Sequence, residues 1–191
     1  MPLIQINAPG AEPVTVNDIK AAARIDDAYF DAALTAMLIP AIRRMAEHRL
    51  GRRLITQTVE LVLDGFPPEH IDLRLPNAQA IVSLKYLDTS GVEQSLAGAV
   101  YQLDSDSQPS RVLLKASQSW PATQSVPNAV RIRYVVGYGP ADTDVPQNIR
   151  LWITAQVLQS LDNPAGITEG KPTVLPYLDR LLDAETMWRA S

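Results

Sequence analysis

The only imidazoles in the chain are His48 and His70. Imidazole is the side chain best matched to proton transfer or metal ligation near neutral pH. His48 follows Glu47 in a helical stretch, but no second histidine stands four residues away. The paired-histidine zinc site of a metalloprotease is therefore excluded, and His48 reads as a solvated helix residue. His70, after Pro67-Pro68-Glu69, reads as a turn residue. There is no cysteine, which removes disulfides, thiolate metal sites and a cysteine nucleophile. It also fits a reducing compartment.

Two acidic pairs could attract a cation, Asp104/Asp106 and Asp142/Asp144. Neither fits a calcium loop, which needs glycine at the sixth position and a glutamate at the twelfth. Counting from Asp104, those positions hold Pro109 and Lys115; from Asp142 the twelfth is Ile153. A β-turn suits the first pair and helix N-capping the second. Glycoside hydrolysis by paired carboxylates needs two acids across a cleft, and no such pair is marked by spacing. Gly137-Tyr138-Gly139 follows a strand-like run without the third glycine of a dinucleotide loop, and there is no Gly-x-Ser-x-Gly elbow. No catalytic, metal-ligating or cofactor-binding residue is assigned, no cofactor is expected, and the chain reads as non-enzymatic.

One charge cluster stands out. Arg43, Arg44, Arg49, Arg52 and Arg53 fall within eleven positions of a chain with 17 basic and 21 acidic residues. Cations near a helix C-terminus are favoured by the macrodipole, by roughly 0.3–1 kcal/mol each. Arginine also suits phosphate and carboxylate contacts. The cluster is read as a solvated or inter-subunit face, with a DNA-facing patch as the alternative. The net charge of −4 argues against a dedicated nucleic-acid binder. Split at Arg53 and Tyr138, the three segments carry +1, −2 and −3.

The elements that must position these residues fall into three blocks. From Thr15 to about Arg53 the pattern is helical. Thr15 with Asp18 three residues on is an N-cap signal, opening a short helix from Val16 to about Ala23. A longer helix is predicted from near Asp26 to Gly51, a residue suited to a left-handed C-terminal cap. Phe30, Leu34, Leu38 and Ile42 mark its apolar face, filled out by Met37, Ala41 and Met45. Pro40 inside it predicts a kink or break.

From Leu54 to Tyr138 the period switches to two. Strand-like runs follow at 56–63, Ile71–Leu75, Ile81–Asp88, Val92–Leu96, Tyr101–Asp104, Arg111–Leu114 and Val130–Val136. Asp88-Thr89-Ser90-Gly91 is a hairpin signal. The third block returns to helix after Asp144-Val145-Pro146, with a stripe of Ile149, Trp152, Ile153, Gln156 and Val157. Asn163 to Pro176 reads as a loop. A last helix is predicted over Tyr177–Trp188, with Leu178, Leu181, Leu182 and Met187 or Trp188 on its apolar face.

These blocks predict an α+β protein. Residues 1–53 and 139–191 form a discontinuous helical domain, interrupted by a β-rich insertion over 54–138 that is a small antiparallel sheet, sandwich or barrel. The longest nearly apolar run, Ala32 to Ile42, is far short of the ~20 residues that span a bilayer. The first thirteen residues read as neither signal peptide nor anchor.

The borders of the insertion carry a resemblance. Gly51-Arg52-Arg53-Leu54-Ile55-Thr56-Gln57-Thr58, then Glu60-Leu61 and Leu63-Asp64-Gly65-Phe66-Pro67, resemble the point where the first helical part of tailed-bacteriophage head–tail connector proteins enters its β-insertion. Val82 to Asp88 with Gly91 is similar to the next strand pair of that family. Tyr101 through Leu114, with Asp104, Pro109 and Arg111, is similar to its central hairpin. Ser119-Trp120-Pro121-Ala122, Val130 to Gly139, Val145-Pro146 and Ile149 complete a match over roughly Val14 to Val157. At the C-terminus Ala184-Glu185-Thr186-Met187-Trp188 stands where the family often has a proline–tyrosine–arginine-like stretch.

The resemblance implies a head–tail connector (adaptor or head-completion protein) of a phage or prophage, assembled in the host cytoplasm and placed in the virion neck. It implies a ring of copies, commonly twelve, below the portal. The ring would extend the DNA channel and dock the tail or a stopper protein, with no membrane partner. Its rivals are a DNA-contacting packaging factor, suggested by the arginines, and a hydrolase using acids of the β-segment.

Overall fold

The computed structural model describes residues 2–162, 178 and 180–186. The predicted loop at 163–176 lies outside the described residues, and so does much of the predicted last helix, including Met187 and Trp188. The chain divides into two compact units. One comprises the first ten residues with Thr56–Tyr138, the other Ala11–Ile55 with the chain from Gly139 onward.

The β-unit is built on a five-stranded antiparallel sheet of order β1-β2-β8-β4-β5. Its strands are β1 (Leu3–Gln5), β2 (Gln57–Leu63), β4 (Ala78–Leu87), β5 (Glu93–Ser95) and β8 (Val130–Val136). A second sheet of order β3-β7-β6 comprises β3 (His70–Asp72), β6 (Tyr101–Asp104) and β7 (Arg111–Leu114). Neither sheet closes into a barrel. The alternation seen in the sequence sets the register. Ile132 in β8 faces Leu61 on one side and Leu84 on the other, so all three point to the same face. They are buried with Val59, Leu63, Tyr134 and Val136, and with Ile71 and Val112 of the second sheet. The two sheets thus share one core, as in a sandwich.

Asp88 makes the hairpin between β4 and β5. Its carboxylate accepts the N–H groups of Ser90 (2.9 Å) and Val92 (3.1 Å), and Gly91 supplies the left-handed φ of 81° that costs glycine least.

The first strand has no counterpart in the sequence reading, which placed residues 1–10 with the helical part. Leu3, Ile4 and Gln5 pair with Leu61, Glu60 and Val59. Three residues are too few to show a period, and their partners lie more than fifty positions away.

The helical unit opens with α1 (Val16–Ala23), capped as read: Asp18 N–H donates to Thr15 Oγ1 at 3.1 Å and Thr15 N–H returns a bond to Asp18 Oδ2 at 2.8 Å. The long helix is in three pieces, α2 (Asp31–Ala33), a π-helical turn (Leu34–Leu38) and α3 (Ile39–Leu50). It begins five residues later than predicted, because Asp27 Oδ1 accepts the Tyr29 N–H at 2.9 Å in a local turn that competes with helix. The break falls where proline dictates. Pro40 has no N–H to give to the carbonyl one turn back, and the ladder widens just before it, with Ile39 N–H bonding Leu34 O five residues away. Gly51, at φ 68°, ends α3.

Met37, Ala41 and Met45 are not on the buried face. That face is Ile39, Ile42, Arg43, Ala46, Glu47 and Leu50. At 3.6 residues per turn the other three lie roughly 130–170° around from its centre, and all are exposed. The four-residue step from Phe30 to Ile42 had drawn them in as neighbours at three residues' offset.

α4 (Gln147–Asp162) follows Pro146, whose carbonyl accepts the N–H groups of Ile149 and Arg150. It buries Ile149, Trp152, Ile153 and Val157, four of the five predicted stripe residues; Gln156 is half-buried.

Candidate functional site

The five arginines occupy the second half of α3 and the chain just beyond it, and the fold separates them. Arg43 is buried. It donates to Glu12 Oε2 at 2.8 Å and to Glu47 Oε2, one turn on, at 3.2 Å. Arg53 donates to the same Glu47 oxygen at 3.0 Å, while Glu47 Oε1 accepts the Leu54 N–H at 3.1 Å. Glu47 is thus a buried acceptor for two guanidinium groups and one backbone N–H. Arg52, also buried, lies 3.6 Å from Glu185. Arg44 and Arg49 turn outward. Arg44 donates to the Pro40 carbonyl at 3.3 Å, and the Arg49 guanidinium sits 5.9 Å from the Trp152 ring centre. Carboxylates engage Arg43, Arg52 and Arg53, and the side chains of Arg44 and Arg49 are exposed.

Sequence reasoning missed the residues that tie the unit's pieces. Arg150 donates to the Pro13 carbonyl (2.9 Å) and to Asp142 Oδ2 (3.0 Å), and lies 3.6 Å from Asp18. Nothing local marks it, since its partners lie up to 137 positions away. Glu12, thirty-one positions from Arg43, escaped notice for the same reason, whereas Glu47 stands only four residues from Arg43 and six from Arg53, a spacing the sequence does offer.

The acidic pairs serve as turns and caps. Asp104 accepts the N–H groups of Asp106 and Ser107 at 3.2 Å, and the Ser107 hydroxyl. That hydroxyl, first among its partners, holds the Asp104 carboxyl below the usual range. Asp144 accepts the Ala141 N–H at 2.8 Å. A Cβ on Gly139 would collide with Asp144, so glycine there permits the close approach. His48 is an exposed residue of α3. His70 is in β3, not a turn; its Nε2 lies 3.2 Å from Asp72 Oδ1, and Arg111 Nε lies at the same distance from that oxygen. Among the described residues no group of three or more metal-ligating side chains converges, and no helix is long and apolar enough to cross a membrane.

Two clefts are apolar. One of about 300 Å³ lies in the helical unit, lined by Val14, Val16 and Ile39 with Glu12 and Asp142. Both carboxylates are already paired, to Arg43 and Arg150, as structural acceptors. The other, about 460 Å³, lies in the β-unit against Leu63, Phe66, Pro67 and Ile71, with His70 and Asp72 at its edge. Phe66 stacks on Trp120 at 4.8 Å and meets Tyr86 edge-on. In the first cleft, the Thr15 hydroxyl also lines the wall and donates to Asp18 Oδ2 at 2.9 Å as part of the α1 capping box.

The β-unit holds one buried charge. Glu60 lies on the sheet face opposite the core, in register with Arg133. It accepts bonds from Arg131, at 2.9 Å, and from Arg133. Burial works against its charge, but these two arginines outweigh burial and hold its carboxyl below the usual range.

No family model matches the chain, and no curated protein matches it. Solved structures do. The chain is similar to a protein of the neck of an empty GTA particle computed with C6 symmetry, at 19% identity and TM-score 0.81, covering 100% of this chain and 98% of that one. It is similar, at the same identity and coverage, to one in the neck of the native GTA particle computed with C12 symmetry (TM-score 0.79). A third is in the virion of the native gene transfer agent particle (TM-score 0.80). At this identity the likeness establishes a shared fold across the whole chain, including both units.

Proposed function

We propose that this chain is a structural component of a phage-like particle's neck, a head–tail connector. It acts as a ring of copies below the portal, extends the DNA channel and docks the tail or a stopper protein. The observation that carries the reading is the whole-length likeness to proteins of neck assemblies with six- and twelvefold symmetry. A shared fold alone is weak evidence of shared function. Here it joins a sequence resemblance reached independently at the borders of the β-insertion, and a set of polar residues engaged in holding the fold. The role asks for surfaces, not for chemistry. The particle neck is the site of action, and the host cytoplasm is where assembly would begin.

The arginine cluster enters this reading through Arg44 and Arg49, the two that face solvent, as interface or channel-side charges. Arg43, Arg52 and Arg53, held by carboxylates, do not form the open row of cations that a packaging factor gripping DNA needs.

The experiment is a measurement of mass by light scattering, alone over a range of concentrations and with the cognate portal. Formation of a closed oligomer, or of a stoichiometric complex on the portal, is expected. A chain that stays monomeric in both conditions contradicts the reading.

A further inference from the structure

A ring closes only if each copy presents two different surfaces, one to each neighbour. The helical unit shows two outward apolar places. The first runs from the turn before the long helix along the helix itself: Tyr29, in the turn, is 83% exposed, and Met37 and Met45, beyond it, 61% and 42%. Ala33 and Ala41 fill the gaps in the same four-residue step, with Ala33 half-buried and Ala41 exposed. Tyr29 packs edge-on against Phe30 at 4.9 Å. From Ala33 to Met45 the helical part of this stripe is about 18 Å long at 1.5 Å per residue. The second is Leu151 on α4, 52% exposed although its neighbours Trp152 and Ile153 are buried. Beyond these, Phe30 at 37% is the remaining exposed large apolar side chain among the described residues of this unit.

We infer that the Tyr29–Met37–Met45 stripe is one side of the subunit interface and that it docks on the Leu151 face of α4 in the next copy, an inference that rests on the ring reading above. Three features favour a second copy as the occupant. The stripe alternates bulky, adaptable methionine with alanine, so a facing helix can approach to the 8–10 Å of packed helices. It is rimmed by Arg44, His48 and Arg49, the apolar core and polar rim of a protein interface. The fold recurs in assemblies of six- and twelvefold symmetry, which demand a head-to-tail contact of this kind. A lone monomer has no use for an apolar stripe of this length in water.

The chain contains no cysteine, so a single introduced thiol reports its own surroundings. Met37→Cys, Met45→Cys and Leu151→Cys variants are labelled with a soluble maleimide, as monomer and in the assembled ring or portal complex. A fall of tenfold or more in rate at all three positions on assembly is expected. On oxidation, a mixture of Met37→Cys and Leu151→Cys chains should give the crossed dimer. Met37→Glu and Met45→Glu should stay folded and lose the ring, while Val82→Glu and Val92→Glu on the β-unit should keep it. Unchanged labelling at any of the three positions in an intact ring overturns the inference and leaves the ring reading standing. Self-crosslinking of Met37→Cys alone overturns it too, since it would mean a two-fold contact. If the unmodified chain assembles neither alone nor on the portal, the ring reading itself has failed, and this inference with it.

Discussion

Arg53 reaches back past the end of α3 and donates to Glu47, Nη1 to Oε2 at 3.0 Å. The same oxygen takes Arg43, and the other takes the Leu54 N–H. One buried carboxylate therefore fixes both the helix and the direction in which the chain leaves it. Removing one partner of a buried ion pair costs roughly 3–5 kcal/mol, because the remaining charges lose their compensation. Glu47→Ala should destabilise by about that amount in urea denaturation. Arg44→Ala, at an exposed position four residues from Pro40, should stay within about 0.5 kcal/mol.

Glu60 makes the stability depend on pH. Its carboxyl is held below the ordinary value of 4.5. A depressed carboxylate contributes stability that is full above its unfolded value and is lost as pH falls through the folded one. The urea midpoint should therefore drop on acidification from about pH 4.5 downward. Glu60→Gln should have a lower midpoint at neutral pH and a shallower acid limb. An unchanged acid limb in Glu60→Gln would assign the loss to other carboxylates.

The core of the β-unit is most sensitive at β8, the central strand of the five-stranded sheet. Ile132 is fully buried between Leu61 and Leu84. Ile132→Ala should cost about 2–5 kcal/mol, whereas Val82→Ala, at an exposed position of β4, should be nearly neutral by the same measurement.

Much of this was legible beforehand, and the reasons are local. Thr15 and Asp18 form a capping box within four residues, and α1 begins where the two of them predict. The β-runs alternate strongly enough that seven of the eight strands among the described residues overlap a run read from the sequence. Gly51 and Pro40 act on the backbone next to them. What was hidden depends on distance. β1 has only three residues and borrows its order from β2. The side of α3 that turns inward is set by its contacts with the rest of the unit, so Met37 and Met45 were assigned to the wrong face. The arginine cluster looked uniform because its members share a type. Glu12, thirty-one positions from Arg43, and Glu185, far beyond Arg52, are what divide it.

That division separates the two rival roles for the arginines. With Arg43, Arg52 and Arg53 occupied by acids, the isolated chain at net charge −4 should bind duplex DNA weakly. Arg44→Glu combined with Arg49→Glu should change that binding little. Fluorescence anisotropy between 50 and 200 mM salt would read it. A packaging factor would instead bind with a steep salt dependence, losing about 10³–10⁵ in affinity over that range if it made 6–10 phosphate contacts. The double variant would then weaken it.

The position of this protein and its copy number can be seen in the particle itself. The most direct measurement is cryo-electron microscopy of particles purified from cells making this chain. Density for the two-unit fold should form a closed ring on the particle axis, between portal and tail. Particles that are complete yet lack that ring, or that carry the chain in the capsid shell instead, would contradict the account.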